Sequence, residues 1–108
     1  MLPQELIKQL SELTQETRRG AQVLYEAEVA LAEADHTLDT VEQTEFIKQS
    51  GTVADRTALA RLASADARLQ RDLRRAEVNR VKMKIKGLES QLMAVATQAK
   101  LLGVESKI

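Results

Sequence analysis

Two groups of residues have types and spacings that could do chemistry. The first is Glu33-Ala-Asp-His36. A Glu and a His three residues apart lie on one helical face, the spacing used by dinuclear metal sites in helix bundles. Such a site also needs a second Glu-x-x-His pair and two further inward carboxylates. His36 is the only histidine in the chain, so one chain cannot complete the set. A symmetric oligomer would duplicate it, but an exposed imidazole among acids is the plainer reading, and no metal or other cofactor is expected.

The second group is the run "RRAEVNRVKMKIKG" at 74–87, with six basic side chains in a chain of formal net charge zero. Extending it N-terminally adds Arg68 and Arg71. On a helical wheel Arg68, Arg71, Arg75, Lys82 and Lys86 fall within about 60° of one another, on the side opposite Leu69 and Leu73, while Arg74 and Lys84 of the same run lie outside that stripe. Five like charges along about 27 Å of helix repel one another unless something anionic neutralises them. A stripe of this kind can follow a phosphate backbone, with affinity that falls steeply as salt rises. It can equally be a solvated face, or one neutralised by an acidic neighbouring helix. Both readings remain open from the residues alone. With Tyr25 and Phe46 the only aromatics, base stacking is not supported, and any contact with single-stranded nucleic acid would be made to phosphates.

Other chemistry finds no support. There is no cysteine, hence no thiolate or disulfide framework, which fits a reducing cytoplasm. No Gly-rich phosphate loop and no nucleophile–base pair is present, and two long helices provide no cleft, so catalytic residues are none and an enzyme is not expected. The start, MLPQELIK, lacks a basic region leading into an apolar stretch, so no signal peptide is expected. No apolar run reaches the roughly 18–20 residues of a membrane span. The apolar faces carry no Trp, which argues against a membrane-surface helix.

The elements that would position the basic residues are long helices. Charged residues make up 30% of the chain, with one proline and four glycines, a composition of helices and coiled coils. Leu6, Leu10, Leu13, Thr17, Gly20, Leu24, Ala27, Leu31, Ala34, Leu38, Val41 and Glu45 repeat at spacings of 4 and 3 without interruption. That predicts one seam along a helix of about residues 3–49. Gly20, Ala27 and Ala34 on that seam permit close backbone approach. A turn at about 50–52 follows, with Gly51 closing the helix, Thr52 capping the next and Asp55 as its capping-box partner. The second helix is predicted over about 53–102. The fold expected is therefore all-α: an antiparallel two-helix hairpin of coiled-coil type forming a single domain, assembling into an oligomeric helical bundle.

On the second helix, Leu59, Leu62, Leu69, Leu73 and Ala76 share one side. Val81, Ile85, Leu88, Leu92, Val95, Ala99 and Leu102 share another, turned by about 100°. This predicts a change of buried face between Ala76 and Val81, inside the basic run. Leu10, Leu24, Leu31, Leu38, Ile85, Leu88 and Leu92 are the expected hairpin and oligomer seam. Charge divides between the halves. Residues 1–50 carry ten acidic and four basic side chains, net −6; residues 51–108 carry six acidic and twelve basic, net +6. Antiparallel pairing would bring these halves together.

The order "AEVALAEA" (27–34), "GTVADRTALA" (51–60), "RRAEVNRVKMKIKGLESQL" (74–92) and "QAKLL" (98–102) resembles a group of small helical proteins encoded in tailed-phage and prophage genomes. The likeness covers about residues 24–102, and its most specific element is the Gly-Thr-Val-x-[Asp/Glu]-Arg corner. The layout is also similar to phage recombination mediators of the UvsY type, small helical oligomers that bind single-stranded DNA and help load a recombinase in place of single-strand-binding protein. That resemblance implies a homo-oligomeric accessory protein of DNA recombination or replication in the cytoplasm of a bacterial host. Recombinase or single-strand-binding protein would be its protein partners. It gives Arg68, Arg71, Arg74, Arg75, Lys82, Lys84 and Lys86 a role in holding DNA. The alternative is a coiled-coil scaffold or inhibitor of a host or phage protein, without DNA binding.

Overall fold

A computed structural model describes residues 3–103. It contains three helices, α1 (Pro3–Lys48), α2 (Val53–Ala63) and α3 (Ala65–Leu101), and among the described residues no strand. Pro3 stands in the first turn of α1, where its missing N–H has no helical partner to lose.

The turn after α1 forms as its residues dictate. Gly51 takes φ +110°, a conformation that a side chain disfavours. Thr52 is the N-cap of α2, and its hydroxyl accepts from the Asp55 N–H at 3.1 Å. Arg56 then reaches back, donating from Nε and Nη2 to the Phe46 carbonyl at 3.3 and 3.1 Å. Its guanidinium lies 4.2 Å from the centroid of the Phe46 ring. One side chain thus caps the C-terminus of α1 and stacks on the aromatic ring of its last turn. Gly51, Thr52 and Arg56 of the Gly-Thr-Val-x-Asp-Arg corner each have an architectural task, whereas Val53 is exposed and Asp55 contributes its backbone N–H, with no capping-box bond from its carboxylate among the described contacts.

The chain divides into two compact units, Met1–Tyr25 with Arg80–Ile108, and Glu26–Asn79. In the first, α1 and α3 run antiparallel, and Leu6, Leu13, Leu88 and Val95 form a buried cluster with Leu10 and Leu92 packed against it. Gly20 faces Ile85 so closely that an added Cβ would stand 3.0 Å from Ile85 Cγ1. The second unit is an antiparallel hairpin of the latter part of α1 against α2 and the start of α3, joined by the Gly51 turn. Its ion pairs step backwards along α1 as they step forwards along α3, Arg68 to Glu42 and Arg71 to Asp35.

The first seam forms as predicted. Each of its twelve positions from Leu6 to Glu45 is buried or half-buried, Leu24, Leu31 and Leu38 included. The second arm differs from expectation in two ways. It is interrupted at Ser64, which is 1% exposed with φ −96° and ψ 12°. Ser64 Oγ donates to the Arg61 carbonyl at 3.1 Å, a local bond that competes with the helical ladder. The ladder resumes at once, since the Ser64 N–H donates to Ala60 O and the Arg68 N–H to Ser64 O, both at 3.0 Å.

The second difference is a correction of the seam. The arm does not change its buried face between Ala76 and Val81. Ala60, Ser64, Val78, Val81, Leu88, Val95 and Ala99 are buried, and Ala67, Arg71, Ile85 and Leu92 half-buried. With exposed Arg74 in the one remaining position, these keep a 4-3 repeat from 60 to 99. Leu59, Leu62, Leu69 and Leu73 occupy the opposite side of the helix and are 44–74% exposed. Small side chains, Ala60, Ser64 and Ala67, take the seam in the second unit, and the leucines are left outside.

Candidate nucleic-acid interface

The basic residues of α3 separate by partner. In the unit Glu26–Asn79, Arg68 is bound on three sides. Its Nη2 lies 2.7 Å from Glu42 Oε1 and 3.1 Å from Ser64 Oγ, and its Nη1 donates to the Arg61 carbonyl at 3.2 Å. The guanidinium both pairs with α1 and braces the Ser64 interruption. Arg71 donates from Nε to Asp72 Oδ1 at 2.8 Å and places Nη1 3.8 Å from Asp35 Oδ1. Both side chains are largely covered, 23% and 22% exposed. For these two residues the acidic first helix does neutralise the basic one.

Arg74 and Arg75 follow in the same unit and are exposed, with no ion pair among the described residues. Arg74 lines a groove beside Ala30 and Glu33 of α1. In the other unit Lys82, Lys84 and Lys86 are likewise exposed and without ion pairs among the described residues. A long cation with water around it keeps its rotamer freedom, and pays little desolvation on meeting a phosphate. Of the seven basic residues from Arg68 to Lys86 singled out in the sequence, these five are exposed and without an ion pair among the described residues.

Comparison with family models, curated proteins and solved structures finds no match. The geometry therefore carries the functional argument alone.

The seam residues Leu10, Leu88 and Leu92 pack in one cluster, and Ile85 meets Gly20, all within a single chain. His36 is exposed, and no group of three or more His, Asp or Glu side chains comes together among the described residues. No helix is long and apolar enough to cross a membrane among them. Two features escape the sequence. One is the exposed leucine stripe of α2 and α3, hidden because large apolar residues on a helix are read as its buried face. The other is Arg19, half of the one basic pair of α1, for which an isolated pair of arginines in an acidic helix was the available signal.

Proposed function

We propose that this chain is a non-enzymatic accessory protein of DNA recombination or replication, of the kind phages encode, that holds single-stranded DNA by its phosphates. Arg74 and Arg75 form one group of contacts, Lys82 and Lys86 another, and Lys84 a third on a different side of α3. The observation that carries this reading is the division of labour on α3. Arg68 and Arg71 pair with Glu42 and Asp35 of α1, yet Arg74, Arg75, Lys82, Lys84 and Lys86 stay exposed, without an ion pair among the described residues, at a cost in mutual repulsion. With few aromatics, binding is phosphate-led and tolerant of sequence. Copies of the chain in a homo-oligomer would repeat the weak sites and raise avidity. Fluorescence anisotropy with a labelled oligo(dT), titrated with salt, tests this. Binding at 50 mM salt should weaken on a log–log slope of about −0.7 per phosphate contact; no binding at that salt contradicts it.

A second reading rests on a different observation. Leu59, Leu62, Leu69 and Leu73 lie exposed at helical spacing on the side of the arm away from the seam. A stripe of that kind is the surface a partner helix takes in a coiled-coil scaffold. If that helix belongs to a second copy, the stripe is the oligomer face. Light-scattering mass separates the cases, since a monomer at micromolar concentration removes the self-association and leaves only a foreign helix.

A further inference from the structure

In the unit Met1–Tyr25 with Arg80–Ile108, α1 and α3 leave a groove of about 420 Å³. Its ionisable lining is Glu16 and Arg19 from α1, and Arg80 and Lys84 from α3; Val23 and Val81 are among its apolar walls. Gly20 also lines it, and the absence of a side chain there brings the two helices together. Cations from both arms therefore border one cleft.

This arrangement reverses the rule that α1 follows elsewhere. Glu42 meets Arg68 and Asp35 meets Arg71, acid against base. Here an otherwise acidic helix sets Arg19 into the same groove as Lys84, two cations beside the one carboxylate of Glu16. Neither Arg19 nor Lys84 has an ion pair among the described residues. Like charges gathered from two helices cost stability unless an anion joins them. Backbone phosphate supplies the charge, and the sugar attached to it suits apolar walls.

We infer that this groove is a phosphodiester-binding cleft in which Arg19 and Lys84 flank one phosphate from two helices. It rests on the single-stranded DNA reading above and adds a contact from α1, outside the basic run. A grip from two walls fixes one phosphate, whereas a stripe on one helix only attracts the strand.

Two measurements test it. In amide NMR, inorganic pyrophosphate should shift Gly20 and Val81 while leaving Ala60 unmoved; no shift at Gly20 overturns the cleft. In oligo(dT) binding at 50 mM salt, Arg19→Gln and Lys84→Gln should each weaken affinity about fivefold to tenfold beyond Arg18→Gln, which removes the same charge one residue away. Equal losses for Arg18→Gln and Arg19→Gln overturn it as well. The two levels of the account separate cleanly. If Arg75→Gln weakens binding but Arg19→Gln matches Arg18→Gln, the DNA reading stands and the cleft falls. If pyrophosphate shifts Gly20 but wild-type protein ignores the oligonucleotide, the cleft stands as an anion site and the DNA reading falls.

Discussion

Arg68 Nη2 lies 2.7 Å from Glu42 Oε1, joining α3 to α1 across 26 positions of sequence. The same guanidinium holds Ser64 Oγ and the Arg61 carbonyl, so its donors are engaged within the fold. Arg68→Ala should cost about 1–2 kcal/mol in urea unfolding, the range for a hydrogen-bonded charge whose partners keep some access to water. Oligonucleotide affinity, measured where the variant is fully folded, should change far less than in Arg75→Ala. A larger affinity loss for Arg68→Ala than for Arg75→Ala would return Arg68 to the binding surface.

Gly20 and Ile85 should be energetically coupled. An alanine at 20 gains about 1 kcal/mol of helix propensity but sets its Cβ 3.0 Å from Ile85 Cγ1. Gly20→Ala should therefore stabilise the Ile85→Ala background more than the wild type. A double-mutant cycle should show at least about 0.5 kcal/mol of coupling; simple additivity would mean that the helices separate freely at this point.

The Gly51 corner should be intolerant of side chains. With φ at +110°, Gly51→Ala should cost about 1–2 kcal/mol. Arg56→Ala removes the cap on Phe46 O and the stacking on its ring, and should cost a similar amount. Thermal unfolding followed by circular dichroism reads both, and a Gly51→Ala variant as stable as wild type would show that the turn adopts another backbone.

These relationships show what the sequence makes legible. The seam of α1 could be read at every position from Leu6 to Glu45 because its 4-3 repeat is unbroken, and Gly51, Thr52 and Asp55 announced the turn by chemistry. The beginning of the second arm departs from expectation because apolar bulk there does not mark the buried face. Ala60, Ser64, Ala67 and Arg71 carry little of it, yet continue the register of Val81 and Leu88. An arginine stem can cover a seam while its head reaches an acid, a role that hydropathy does not display. Net charges of −6 and +6 indicate that the halves attract, but only the fold pairs Arg68 with Glu42 and leaves Arg75 without an ion pair among the described residues.

The leucine stripe gives a prediction about assembly. Leu62→Glu and Leu69→Glu alter residues that are 74% and 54% exposed, so unfolding stability of the chain itself should move by no more than about 0.5 kcal/mol. Mass by light scattering should fall toward that of one chain if the stripe joins copies. An oligomer of unchanged mass in both variants would place self-association elsewhere.

The central claim is that the unpaired cations of α3, and not the paired ones, hold single-stranded DNA. The most direct measurement compares salt-titrated oligo(dT) affinity for Arg75→Glu with Lys82→Glu against that for Asp72→Arg, which adds positive charge beside the paired Arg71. The account predicts that the double variant loses at least about tenfold affinity at 50 mM salt and flattens the salt slope by about 1.4 for two contacts, while Asp72→Arg binds as well as wild type or better. Affinity and slope unchanged in the double variant would contradict it.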